Sequence, residues 1–178
     1  MIYMPLINTP FSHFIYSDVL DISEQTNEML KSEVEKIIKP GTLTNFHEDF
    51  KSILSNPTFF PFFNILKEHI NIFTQSIQFI RPIKIHNAWV TITPPGACHN
   101  FHTHGPETMI SGVYYIEASE ELSLIFVNNN LRLSPNEHVE PLKSKKLILF
   151  DGSLVHGFVP VTGNRPKITI AFNMVIDI

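Results

Sequence analysis

The spacing of apolar residues changes near residue 82 and divides the chain into a helical part and a strand-rich part. Within residues 23–38, apolar side chains recur at the 3.6-residue period of a helix. The stripe comprises Leu30, Val34, Ile37 and Ile38. Ser23, or Asp21 just before it, can cap the start, and Pro40-Gly41 is a stop signal. The pattern therefore predicts an amphipathic helix.

A second helix is predicted to open at Asn56-Pro57, because proline is favoured at the first helical position. Its apolar residues keep the same period. They are Phe59, Phe63, Leu66, Ile70, Phe73 and Ile77. This aromatic stripe indicates core packing rather than a cofactor site.

After Pro82 the chain becomes a series of short β-rich runs separated by turn residues. The runs are IKIHNAWVTIT, MISGVYYIEA, LSLIFVN, KKLILF, HGFVPV and KITIAFNMVI. Such spacing favours a sandwich or barrel. We expect an α+β protein: a double-stranded β-helix (jelly roll) with N-terminal helices packed on one sheet. We expect one domain over 1–178, with helical support over about 1–80 and the jelly-roll core over about 83–178.

Composition limits the functional classes. A net charge of −4 and one small basic cluster argue against nucleic-acid binding. No apolar run is long enough for a membrane span, and the N-terminus lacks the features of a signal peptide. The single cysteine, Cys98, favours a reducing compartment, so we expect a cytoplasmic protein. An open sheet edge would allow a homodimer.

Three of the nine histidines fall within residues 99–104. Residues two apart on an extended segment point the same way, so His102 and His104 would share a face, with His99 on the other. Two imidazoles directed at one point suggest a metal site. The alternative is a polar loop that is rich in hydrogen-bonded histidines.

The stretch 147–173 adds a second group of polar residues. His156 follows a strand, and Arg165, nine residues later, opens the final strand. Alternation places Arg165, Thr169 and Asn173 on one face, opposite an apolar face. Buried polar groups without partners are costly, and an anion held by Arg165 would supply a partner. Alternatively, Arg165 is a solvated residue after a turn.

The segments "HTHGPETMISGVYYIE" and "LVHGFVPVTGNRPKITIAFN" resemble the Fe(II)/2-oxoglutarate-dependent oxygenase superfamily. They are most similar to its prolyl-hydroxylase-like branch and, within it, to a small bacterial and phage subfamily. The resemblance covers roughly residues 85–176. It implies an enzyme that binds Fe(II), 2-oxoglutarate and dioxygen. Such an enzyme couples oxidative decarboxylation of 2-oxoglutarate to hydroxylation of a second substrate, which the sequence does not identify.

The resemblance also assigns metal ligands. His102 and His156 match metal-binding positions, and His104 occupies the position where most members have aspartate. The usual site contains two histidines and a carboxylate. The sequence therefore leaves two alternatives: a three-histidine site, or a carboxylate from Glu107 or Asp151. No catalytic residue is expected beyond the metal ligands.

By the same resemblance, Arg165 pairs with the far carboxylate of 2-oxoglutarate, Tyr114 donates a hydrogen bond to it, and Thr169 lines its pocket. The residues alone do not distinguish Tyr114 from Tyr115. Asn173 is expected to reach the cosubstrate or metal-bound water, or else to satisfy a neighbouring backbone group.

Two other functions remain open. A three-histidine dioxygenase would bind its substrate directly, without 2-oxoglutarate, and a noncatalytic jelly-roll module would bind a partner. Asn87, Trp89 and Thr91 share a strand face and are candidates for the pocket mouth, although Trp89 also suits a core position.

Overall fold

A computed structural model describes residues 6–8, 13–39, 43–46, 50–127, 137–161 and 163–177. Its helices all precede residue 80, as the apolar periodicity predicts. They are α1 (Glu24–Ile37), α2 (Phe50–Ser55) and α3 (Phe60–Ser76), with a 3-10 turn at Pro57–Phe59 before α3. Within the described ranges, no helix combines the length and the apolar character that crossing a membrane requires.

The predicted helix signals are used at most of the expected positions. Ser23 caps α1, since its side-chain oxygen accepts a hydrogen bond from the Thr26 amide at 3.1 Å. The predicted stop at Pro40-Gly41 lies outside the described residues. Asn56 caps the 3-10 turn, so α3 begins three residues later than predicted.

Ten strands form two antiparallel sheets in the part of the chain that the structure describes. They are β1 (Leu6–Asn8), β2 (Ile15–Val19), β3 (Ile83–Thr93), β4 (His99–His102), β5 (Ile110–Glu117), β6 (Ser123–Val127), β7 (Glu137–Pro141), β8 (Lys146–Asp151), β9 (Val155–Phe158) and β10 (Lys167–Ile176). One sheet has the order β1-β2-β8-β5-β10-β3 and the other β4-β9-β6-β7. The N-terminal part is thus not purely helical, because β1 and β2 extend the larger sheet.

From β3 to β10, the chain passes repeatedly from one sheet to the other. The larger sheet takes β3, β5, β8 and β10, and the smaller one takes β4, β6, β7 and β9. This is the eight-stranded arrangement of a jelly roll. The expected fold class, an α+β protein with a jelly-roll core and helices on one sheet, is confirmed.

Two apolar cores lie on opposite faces of the larger sheet. The outer core joins this sheet to the helices, and the inner core fills the space between the two sheets. On β10, Ile168, Ile170 and Phe172 belong to the outer core. The odd-numbered residues of β10 therefore face the interior of the jelly roll.

Candidate metal centre

Strand register brings together two histidines that are 54 residues apart in sequence. β4 pairs antiparallel with β9, and His102 is the direct partner of His156. An irregularity between His99 and His102 breaks the strict alternation, and the rings of these two residues lie 4.4 Å apart. The prediction that His99 points away from His102 is therefore wrong.

His104 lies two residues beyond the end of β4, in a loop attached to the turn that follows β8. The His104 amide donates to the Gly152 carbonyl at 3.0 Å, and the Gly152 amide donates to the Met109 carbonyl at 3.2 Å. A Cβ atom on Gly152 would lie 2.5 Å from the carbonyl oxygen of Thr108. A glycine is therefore needed for this close approach of two backbones.

The three predicted ligands converge. One nitrogen of each of His102, His104 and His156 lies within 4.8 Å of the corresponding nitrogens of the other two. The Nε2 atoms of His104 and His156 are 3.4 Å apart, and their rings are almost parallel, at 9°. His156 is buried, whereas the other two are half-buried, so the group sits at the wall of the jelly roll with one side open.

Backbone carbonyls orient two of the rings. Nδ1 of His102 lies 2.8 Å from the Asn100 carbonyl, and Nδ1 of His156 lies 2.9 Å from the Leu154 carbonyl. Because a carbonyl can only accept, each Nδ1 must carry the hydrogen, and in the neutral form of such a ring Nε2 keeps its lone pair. Metal-binding histidines are usually held in this way.

Burial keeps the central imidazoles neutral. Together with the neighbouring imidazoles, it lowers the pKa of His156 to about 3 and that of His104 to about 4. The Phe150 ring, 4.6 Å from that of His156, contributes to the desolvation. Neutral imidazoles with available lone pairs are suitable ligands for a divalent first-row metal, so the residues present fit Fe(II).

The two carboxylates considered as alternative ligands lie apart from this group. Among the described residues, neither Glu107 nor Asp151 joins the set of converging ligand atoms. Glu107 is exposed. Asp151 instead contacts Nδ1 of His13 at 3.1 Å and accepts a hydrogen bond from the Ser153 hydroxyl at 2.6 Å.

The interior of the jelly roll contains a cation that sequence reasoning missed. Lys167, at the start of β10, is 5% exposed, and its Nζ lies 3.4 Å from the centre of the Phe158 ring. It has no carboxylate partner in the described part of the chain. Burial lowers its pKa to about 7. An unpaired buried ammonium is costly, and an anion bound at this position would offset that cost.

Two hydroxyl side chains lie beside Lys167. Thr169 follows on the same face of β10, and its direct partner on β5 is Tyr115. Nζ of Lys167 is 5.7 Å from the centre of the Tyr115 ring. Burial, reinforced by Glu140, raises the pKa of Tyr115, so its hydroxyl stays a hydrogen-bond donor.

The structure does not bring Tyr114 or Arg165 to this position. Tyr114 faces the outer core, where its hydroxyl donates to Oδ1 of Asn27 at 2.8 Å. Arg165 is exposed, precedes β10 by two residues and lines a surface groove beside α1. The prediction that Arg165 shares the buried polar face is wrong, because the strand and its interior face begin at Lys167. Lys167 is two residues before Thr169 and shares its face of an extended strand, so the alternation of residues could have identified it.

Asn173 lies on the interior face, as predicted, near the other end of β10. Its Oδ1 accepts a hydrogen bond from the Ser111 hydroxyl at 2.8 Å, and its direct partner on β3 is Asn87. Trp89, two residues along β3, is half-buried between Phe46 and His104, with ring centres at 5.0 and 6.4 Å.

Residues 87–173 match a family described as "Putative 2OG-Fe(II) oxygenase". This span contains the three converging histidines together with Tyr115 and Lys167. The resemblance to the 2OG-Fe(II) oxygenase superfamily is confirmed over this span, which is just under half of the chain. The expected enzyme class, which depends on non-haem iron and 2-oxoglutarate, is confirmed at this level. No curated protein matches the chain.

Solved structures of 2OG-Fe(II) oxygenases resemble this one in fold. A prolyl-4-hydroxylase from Pseudomonas putida shares 12% identity and a TM-score of 0.66, over 93% of this chain and 94% of its own. HygX from Streptomyces hygroscopicus, determined with nickel and 2-oxoglutarate bound, shares 10% identity and a TM-score of 0.63, over 91% and 82%.

A third oxygenase covers less of both chains. It is an oxidoreductase of the 2OG-Fe(II) oxygenase family from Burkholderia pseudomallei, with 12% identity and a TM-score of 0.56. The match covers 67% of this chain but only 58% of that protein. At these identities the likeness establishes the fold, and the residues of this chain must carry the argument for function.

Proposed function

We propose that this protein is an oxygenase that uses Fe(II), 2-oxoglutarate and dioxygen to hydroxylate a second substrate. One observation carries the proposal: three converging histidines share the jelly-roll interior with a buried lysine that has no carboxylate partner among the described residues. The two features are close, since the charge of Lys167 contributes to lowering the pKa of His99, whose ring contacts that of His102. A dianion that bridges a metal and an ammonium would satisfy both.

The metal would be held by His102, His104 and His156. When bound, iron supplies the oxidative decarboxylation of 2-oxoglutarate. The protein contributes orientation and exclusion of water: the carbonyls of Asn100 and Leu154 fix two rings, and the Phe150 ring covers His156. Preorganised ligands of this kind need little rearrangement to bind an ion.

We infer that Lys167, Tyr115 and Thr169 hold the far carboxylate of 2-oxoglutarate. Lys167 supplies the charge, and the two hydroxyls supply hydrogen bonds from adjacent strands. Thr169 keeps the role that the family resemblance implied. Lys167 and Tyr115 take the roles that the resemblance gave to Arg165 and Tyr114, which lie elsewhere in the fold.

Anaerobic addition of 2-oxoglutarate to the Fe(II)-loaded protein tests this proposal. We expect a visible metal-to-ligand charge-transfer band, and succinate formation once dioxygen is admitted. His156→Ala should bind iron poorly and give no band, because it removes a ligand.

The other outcomes would contradict the proposal in recognisable ways. Bound iron without the band would favour the three-histidine dioxygenase that uses no 2-oxoglutarate. Failure of the unmodified protein to bind iron would favour a noncatalytic jelly-roll module. A cytoplasmic location and a homodimer stay predictions.

A further inference from the structure

A row of polar side chains crosses the interior face of the larger sheet at one end. Ser111 on β5, Asn173 on β10 and Asn87 on β3 are direct neighbours in register. Lys167 lies on the same face of β10, six residues earlier. Six residues of a strand span roughly 20 Å, too far for a five-carbon diacid that touches Lys167 to reach Asn173 as well.

The histidines lie close to the polar row. Trp89 pairs with Ala171, which is four residues after Lys167 and two before Asn173, and the Trp89 ring is 6.4 Å from that of His104. Ser111 pairs with Phe150, whose ring is 4.6 Å from that of His156. The polar row is therefore placed to contact a second substrate that reaches the metal.

Asn87 has an unsatisfied atom. Its Oδ1 is buried and has no hydrogen-bond partner among the described residues. Other buried asparagines are satisfied: Oδ1 of Asn45 accepts from the Val90 amide at 2.8 Å, and Asn27 bridges Tyr114 and Ile116. A buried acceptor without a donor destabilises the fold, so a role in binding would explain why it is there.

Asn173 complements Asn87. Because Ser111 donates to its oxygen, the Asn173 side chain has only its Nδ2 hydrogens left to offer. This nitrogen has no hydrogen-bond partner within the described ranges. The two neighbouring asparagines therefore present one acceptor and one donor, a pairing that matches a single amide group.

We propose that Asn87 and Asn173 bind an amide group of the second substrate, with Asn87 Oδ1 accepting from its N–H and Asn173 Nδ2 donating to its carbonyl. Trp89 packs against the apolar part of the substrate beside that amide. This assignment rests on the proposed function, since it makes the substrate an amide-containing compound whose C–H bond lies near the metal. The shared chemistry covers both peptides and small amides.

Thermal unfolding of the metal-free protein provides the first test. Asn87→Leu removes the unsatisfied acceptor and keeps the branching of the side chain, so we expect the Tm to rise by roughly 2–4 °C. The matched control is Asn45→Leu, which deprives the Val90 amide of its acceptor and should lower the Tm. If Asn87→Leu lowers the Tm or prevents folding, Asn87 is a structural residue and the proposal is overturned.

Binding of small probes provides the second test. In NMR titrations of the Zn(II)-loaded, succinate-bound protein, N-methylacetamide should bind at least tenfold more tightly than methyl acetate, which lacks the N–H. Asn87→Leu should abolish that preference. Equal binding of the two probes to the unmodified protein would contradict the proposal.

A third probe distinguishes the two sources of an amide. Tighter binding of acetyl-Ala-Ala-Ala-amide than of N-methylacetamide would support a peptide substrate, and equal or weaker binding would support a small amide. The 2-oxoglutarate band of the unmodified protein is measured separately. If the charge-transfer band forms but N-methylacetamide is not preferred over methyl acetate, only this inference is rejected. If the band does not form, the proposed function is rejected, and the Tm comparison remains the test of Asn87.

Discussion

Lys167 places a basic side chain in the interior of the jelly roll. It is a buried cation whose contacts are aromatic rings, in a protein whose other buried lysine, Lys146, is paired with Glu140 at 2.6 Å. Within the described residues, Lys167 is thus a buried amine without a carboxylate partner. This asymmetry between two buried lysines is the basis for two predictions.

The first prediction concerns affinity for 2-oxoglutarate. Lys167→Met should weaken binding about 10- to 100-fold, because a charge-assisted hydrogen bond contributes roughly 1.5–3 kcal/mol. The dissociation constant can be measured from the charge-transfer band under anaerobic conditions. Arg165→Met is the matched control, since Arg165 is exposed on another surface, and it should change the constant by less than about twofold. If Arg165→Met weakened binding more than Lys167→Met, Arg165 rather than Lys167 would hold the far carboxylate of 2-oxoglutarate.

The second prediction concerns pH. Burial lowers the pKa of Lys167 to about 7 in the free protein, and a bound carboxylate favours the charged form. Lys167 is therefore already protonated below pH 7 but must take up a proton on binding above it. The affinity for 2-oxoglutarate should fall as pH rises from 7 to 9, by up to about tenfold per unit. Lys167→Arg keeps its charge and should remove this dependence. An unmodified protein with constant affinity over this range would argue against the assignment.

At the scale of elements, the loop at 103–109 positions His104 through its attachment to the turn after β8. Gly152 supplies both hydrogen bonds of that attachment, and the absence of a side chain lets the two backbones meet. The position of His104, the third proposed ligand, therefore depends on a contact between two loops rather than on the strand that carries His102.

Gly152→Ala tests this dependence. A Cβ atom 2.5 Å from a carbonyl oxygen forces the loop outward, at a cost of about 1–3 kcal/mol in the free energy of unfolding. Metal affinity, measured by titration with Zn(II), should fall together with the Tm. Gly105→Ala in the same loop is the control, because the three atoms nearest to its Cβ would all belong to the movable carboxylate group of Glu107. If both variants lost similar metal affinity and Tm, the loop would be sensitive to any alanine, and the contact at Gly152 would have no special role.

At the scale of the whole molecule, a buried ion pair joins the two sheets. Glu140 on β7 and Lys146 on β8 are both more than nine-tenths buried, and Lys146 also donates to the Pro141 carbonyl at 2.5 Å. Burial alone would raise the pKa of Glu140, but hydrogen bonds from Lys146 and Ser17 outweigh it and hold the pKa below its ordinary value. The pair therefore stabilises the fold above pH 4.5, and this contribution is lost as pH falls through the lowered pKa.

Lys146→Met should lower the free energy of unfolding by about 3–5 kcal/mol at pH 7, because it leaves a buried carboxylate without its cation. Denaturant unfolding measures the change. Lys84→Met removes a half-exposed ion pair with Asp177 and should cost less than about 1 kcal/mol. Equal effects would indicate that Glu140 finds another partner or becomes protonated at little cost.

Sequence pattern alone located the strands that carry most of the larger sheet. The bounds of β3 and β10 match the predicted runs, because long alternating segments with one apolar face have a strong period. β4 and β7 were not predicted as strands. They are short and mostly polar, and their pairing with β9 and β6, rather than their own composition, makes them strands.

The sequence by itself determined the chemical groups and their approximate order along the chain: His102, His104 and His156 as candidate ligands, and Thr169 and Asn173 on one face of the final strand. Local spacing is enough to place His102 and His104, or Thr169 and Asn173, on shared faces, because it fixes which side an extended residue points to. The family resemblance assigned His156 as a ligand. Only the tertiary structure decided that Lys167 and Tyr115, rather than Arg165 and Tyr114, enter the interior. Which face of a strand is interior depends on what packs against it, and the helices that cover the outer core lie far away in the sequence.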